Sequence, residues 1–148
     1  MNTQATDIMR EFAALVDEAF AVPHGVRAVV APDPGRAVEL LTAGQMGGLA
    51  VVVFYEGDTA AGEDHWDPRV QATLRAVVWR RQGMGAGGRD YEALALAEAL
   101  RRAVRGADIP GALGGPAYMG MQPIQTMEGR LLEGYSLKFS VLYADLAG

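Results

Sequence analysis

Two short stretches of this chain hold residues whose types and spacing suit chemistry. Gly83-Met84-Gly85-Ala86-Gly87-Gly88 satisfies the spacing G-x-G-x-x-G between an alternating segment and a helical one. Glycines so placed let a backbone approach a pyrophosphate at the positive end of a helix. Glu63-Asp64-His65-Trp66-Asp67 brings carboxylates and an imidazole close together, the donor types that hold a divalent ion. The context of each stretch argues against the chemistry. A dinucleotide fingerprint opens the first crossover of a parallel sheet and expects an acidic residue at the end of the next strand. Asp108 lies 20 positions beyond Gly88, but it sits in a helix exit before Pro110, and Asp90 places an anion beside the supposed phosphate. The acidic stretch has one histidine and lacks the distant ligands and outer partners that fix a catalytic metal.

No other set of side chains improves on these. Cysteine is absent, which removes disulfides, thiolate catalysis and thiolate-ligated metals. His24 stands alone beside Pro23, and the only serines, Ser136 and Ser140, lie on a strand pattern rather than a sharp strand-to-helix turn. With no nucleophile, base and orienting acid together, the chain is expected not to be an enzyme and to need no cofactor or metal. The runner-up function is a nucleotide-binding enzyme using the loop from Gly83 to Gly88; a monomeric interaction domain is the third.

The composition bounds the remaining classes. At 148 residues the chain fits one domain, 1–148, able to bury a core without staples. Its 13 basic and 18 acidic side chains give a net charge of -5, which disfavours attraction to a phosphate backbone. No apolar run approaches the roughly 20 residues that span a bilayer, and the first residues lack a basic and then apolar leader. A soluble protein made in the cytoplasm is expected, with no membrane and no specific nucleic acid as partner.

The elements that must position these residues follow from periodicity. Ile8, Phe12, Leu15, Val16 and Ala19 share one helical face, predicting a helix over residues 7–20 capped by Thr6 or Asp7 and stopped by Pro23 and Gly25. Asp17 and Glu18 are expected to face away. A short strand over 26–31 and a brief helix from 36 to about 41, carrying Val38 and Leu41, come next. The unbroken apolar run 49–55 reads as a strand covered on both faces, in the middle of the sheet. Glu56-Gly57-Asp58 then opens a polar loop reaching Pro68, longer than most connections.

From Val70 the chain alternates. Val70, Ala72, Leu74, Ala76 and Val78 point one way, and Gln71, Thr73, Arg75, Val77, Trp79 and Arg81 the other. Trp79 is expected in the core or on a sheet face; Trp66 either packs over its own domain or inserts into a neighbouring subunit. A helix from Asp90 to about Arg105 buries Leu94, Ala97, Leu100, Ala103 and Val104. Gly120 and Pro123 interrupt a strand over 118–128, which predicts an edge position or a bulge. Tyr135, Leu137, Phe139, Val141 and Tyr143 alternate with Ser136, Lys138 and Ser140 in a closing strand with one apolar and one polar face. The pattern predicts an α+β fold, a single mostly antiparallel sheet with helices packed on one face.

This arrangement resembles the bacteriophage tail terminator, or tail completion, proteins and the related small phage neck proteins. The resemblance runs from the first helix through Ala50-Val51-Val52-Val53-Phe54-Tyr55-Glu56-Gly57, the strand ending Trp79-Arg80-Arg81, the helix at Asp90-Tyr91 and the closing strand. It implies a structural virion protein whose copies form a ring, commonly a hexamer, at the head-proximal end of a tail tube. There the ring would end tube polymerisation and present a docking face to the head or neck. The implied partners are further copies of the chain, the tail tube protein and a head-completion or neck protein, assembled in the host cytoplasm and retained in the virion. On that reading the subunit or tube interface is expected to use Glu56, Asp58, Asp64, Trp66 and Asp67 from the loop, with Arg75, Arg80 and Arg81 from the next strand. Opposite charges would set the register between subunits.

Overall fold

Alternation along two long strands builds the sheet. The computed structural model describes residues 3–42, 49–62, 66–81, 92–124 and 132–145. Within them run α1 (Gln4–Val16), β1 (Ala28–Ala31), α2 (Pro34–Thr42), β2 (Leu49–Ala60), β3 (Arg69–Arg81), α3 (Glu92–Val104), β4 (Ala117–Pro123) and β5 (Leu132–Ala144). The strands form one five-stranded sheet in the order β1-β2-β3-β5-β4. β1 pairs with β2 in parallel, and every other neighbouring pair is antiparallel. The fold is α+β with a mostly antiparallel sheet. β3, rather than the apolar β2, is its middle strand; β2 is covered on both faces from one place further out.

The two faces of β3 separate as their alternation predicts. Ala72, Leu74, Ala76 and Val78 are buried with Val51 and Val53 of β2 and with Leu137, Phe139 and Val141 of β5. Over them lie Ile8, Phe12 and Val16 of α1 and Ala97, Leu100 and Val104 of α3, most of the helical stripes that the i, i+3, i+4 spacing sets out; Leu94, expected among them, is exposed instead. Phe139 is the centre of this layer, its ring 5.7 Å from Phe12 and 5.8 Å from Tyr118. On the opposite face Val77 and Trp79 join Ala31, Ala50, Val52 and Phe54 beneath Ala37 and Leu40 of α2. The long helices thus share one face, while the short crossover α2 covers part of the other. The side chains of Val38 and Leu41 lie outside the described residues.

Three departures from expectation matter most. The α1 cap is Thr3, whose hydroxyl accepts from the Thr6 amide at 3.1 Å, rather than Thr6 or Asp7. The helix ends in a π turn, Asp17–Ala21, and a 3₁₀ turn, Val22–His24, closed by Gly25 at φ 81°. Asp17 does not face away: its carboxylate accepts from the Arg27 Nε at 2.9 Å and from the Ala28 amide at 2.7 Å. It ties the helix exit to the first residue of β1.

The third difference is the largest. The polar loop expected to open at Glu56 is instead strand: β2 continues to Ala60 and pairs with β3 from Gly57↔Thr73 to Ala60↔Val70, after a bulge at Glu56. Ladder hydrogen bonds to 70–73 override the low strand preference of Glu-Gly-Asp, as cross-strand pairing does generally. The connection shrinks to residues 61–68. β4 is an edge strand with a bulge between Tyr118 and Gly120, as its glycine and proline predict.

Candidate functional site

The elongated β2–β3 hairpin and the sheet face beside it hold most of the expected interface residues. At the hairpin end Ala61 N donates to Arg69 O at 3.0 Å, and Asp145 N donates to Pro68 O at 2.7 Å, tying the connection to the start of β3 and to the end of β5. Asp67 accepts from the Arg69 amide and Nε at 3.0 Å each and from Nη2 at 2.7 Å. The Arg69 guanidinium and amide hold this carboxyl below its ordinary value of 3.8. A methyl group added at Gly62 would overlap Asp67, so only glycine lets that side chain close the turn. Trp66 stands beside this fixed turn, 81% exposed. Asp64 lies outside the described residues.

Glu56 and Asp58 flank the bulge and point to different neighbours. Tyr55 Oη donates to Asp58 Oδ2 at 2.6 Å. Burial, followed by hydrogen bonds to Asp58 and Tyr143, raises the Tyr55 phenol above its ordinary value of 10.0, so it stays a donor. Glu56 instead accepts from Arg75 Nε at 3.1 Å, and Arg75 Nη1 donates to Ser136 Oγ at 3.2 Å. Several of the expected interface residues thus have partners inside the subunit, among them Glu56 with Arg75, Asp58 with Tyr55, and Asp67 with Arg69. Arg80 lies across from Leu49 and Glu133, six positions from the bulge-paired Leu74 end of the ladder and on the α1/α3 side. Arg81 closes β3; its side chain lies outside the described residues.

The structure adds a surface that spacing did not single out. Among the described residues, no helix follows α2 over the other side of β3, β5 and β4. The register sets Thr73 against Ser140 and Ala117, Arg75 against Lys138 and Gly120, and Val77 against Ser136 and Gln122. Gln71 Nε2 donates to Ser140 Oγ at 2.7 Å. The polar alternation of Ser136, Lys138 and Ser140 announces this face, but the pairing of Arg75 with Lys138 depends on a register that sequence alone does not fix.

The glycine-rich loop from Gly83 to Gly88 lies outside the described residues, as do Glu63 and His65. The strand before that loop, β3, is antiparallel to both of its neighbours, unlike the strand that opens a dinucleotide crossover. Among the described residues no group of three or more His, Asp or Glu could hold a metal ion. No helix among them is long and apolar enough to cross a membrane. A bed of small polar side chains and an exposed indole suit protein contact.

No protein-family model and no curated protein matches the chain. A virion chain shares the fold. It belongs to the virion of a native gene transfer agent particle and superposes with a TM-score of 0.53 at 18% identity, over 96% of this chain and 95% of that one. The likeness is one of fold, and it extends from end to end.

Proposed function

We propose that the chain is a structural virion protein that acts as phage tail terminators do. Copies close into a ring, six in number, on the head-proximal end of a tail tube; the ring ends tube polymerisation and offers a docking face to the head or neck. The observation that carries this reading is the fold likeness, over nearly all of both chains, to a component of a phage-like gene transfer agent virion. Its partners are further copies of itself, the tail tube protein and a head-completion or neck protein, and its place is the virion neck. No catalytic step or cofactor is required of it. The exposed Trp66 suits a subunit that reaches its neighbour, and a head-to-tail contact closes into a ring when its rotation permits.

Light scattering on the purified chain tests the reading. A mass near six subunits is expected, falling when Trp66 is replaced by alanine. A chain that stays monomeric at every concentration overturns the ring and leaves a monomeric interaction domain in its place.

A further inference from the structure

We propose that the open face of β3, β5 and β4 binds a compact oxyanion of the phosphate class, held by Lys138, Arg75, Ser136 and Gln122 beside Gly120; this site stands apart from the ring reading. Arg75 of β3 is directly opposed to Lys138 of β5, which brings two Cβ atoms to about 5 Å on one face. Like charges so placed destabilise a ladder, and a local rule broken in this way marks a site with another use. Water screens the pair only in part, since Arg75 is 18% exposed and Lys138 is half-buried. Glu56 supplies one negative charge, 3.1 Å from Arg75 Nε. Among the described residues Lys138 has no ion pair of its own, so two opposed cations share one carboxylate.

The groups around this pair are donors, and there is room beside them. Ser136 Oγ accepts from Arg75 Nη1 at 3.2 Å, which leaves the hydroxyl proton to be given elsewhere. The register sets Gln122 across from Ser136 and Gly120 across from Lys138 on β4, so ammonium, guanidinium, hydroxyl and amide come from three adjacent strands. Gly120 lies at φ 135° in the bulge, and a Cβ built on it would meet nothing within 4 Å. Space is therefore open next to Lys138. Donors of this kind make their strongest bonds to ionised oxygens, with lysine as a point charge and arginine as a planar fork. The size of the ligand is bounded as well. Glu56 stands beside Arg75, and a chain of net charge -5 repels a long polyanion. A single free phosphate group meets both conditions, where a strand of them does not.

Thermal melting of the full chain, in inorganic phosphate and in chloride at matched ionic strength, tests the assignment. The melting temperature of the parent is expected to rise with phosphate and to level off at millimolar concentration, as it does when a site fills. Lys138→Met keeps the apolar stem and is expected to need at least about tenfold more phosphate for the same rise, while Lys138→Arg keeps the parent's response. Glu56→Gln removes the competing carboxylate and should need less. A rise that never levels off and is equal in the parent and Lys138→Met is a bulk effect of the salt and overturns the site. So does a short DNA duplex that raises the melting temperature more than free phosphate at equal phosphate content, because the ligand is then a nucleic-acid backbone. Either failure leaves the ring untouched, since none of these readouts depends on the mass of the particle.

Discussion

Leu137 and Lys138 are neighbours on β5, and so are Leu74 and Arg75 on β3, yet the two members of each pair live in different environments. Leu74 and Leu137 lie beneath α1 and α3 with no exposed surface. Arg75 and Lys138 face the side where helix cover ends. The strands are the same; what differs is the layer above them. A sheet face packed by two helices contributes stability, and a face left to serine, glycine and charge contributes less of it. The hairpin sharpens the contrast, because it extends the ladder beyond the helices into a region where little is buried.

Replacing Phe139 by alanine breaks the comparison most severely. The ring is fully buried between Phe12 and Tyr118, and its loss is expected to cost about 3–5 kcal/mol in urea unfolding. A cost below about 1 kcal/mol would mean that the helix-covered face is not the core.

Gly134→Ala probes the other face, where apolar cover persists. An added Cβ would meet Val78 O at 2.7 Å and Ile124 Cδ1 at 2.8 Å. The methyl of isoleucine can move, but a ladder carbonyl cannot, so a loss of about 1–3 kcal/mol is expected by the same measurement.

Removing charge from the open face should matter less. Glu56→Gln leaves Arg75 and Lys138 opposed without an anion, yet both partners of the ion pair keep contact with water, and the expected loss is at most about 1 kcal/mol. Adding Lys138→Gln should return part of it, since the repulsion is then gone. A double variant as unstable as Glu56→Gln alone would show that the two cations do not interact.

The smallest effect belongs to the clasp at the π turn, and it depends on pH. The Arg27 side chain and the Ala28 amide hold the Asp17 carboxyl below 3.8. A depressed carboxylate contributes stability above its unfolded value, and that contribution fades as pH falls through the folded one. The melting difference between the parent and Asp17→Asn should therefore be constant above about pH 5 and shrink below about pH 4. A difference that grows on acidification would contradict the assignment.

Much of this architecture is legible before any coordinates. The alternation of Val70 to Trp79 and of Tyr135 to Tyr143 sorts side chains onto the right faces because one face of each strand is buried, which makes period two a strong signal. Gly120 and Pro123 place β4 at an edge. Other features depend on partners far along the chain. Glu56-Gly57-Asp58 reads as a loop because its strand character comes from hydrogen bonds to Thr73, Ala72 and Gln71. Asp17 looks like a solvated helix residue until Arg27, ten positions on, folds back to it. The candidate interface is legible as a set of acids, arginines and Trp66. That Glu56 and Arg75 neutralise each other follows only from the bulge that brings them together.

Electron microscopy of growing tail tubes, with and without the purified chain, tests the central claim most directly. A ring of about six copies capping one end of each tube, with tube growth arrested, is the predicted result. Tubes that lengthen unchanged, with no density added at either end, would contradict it.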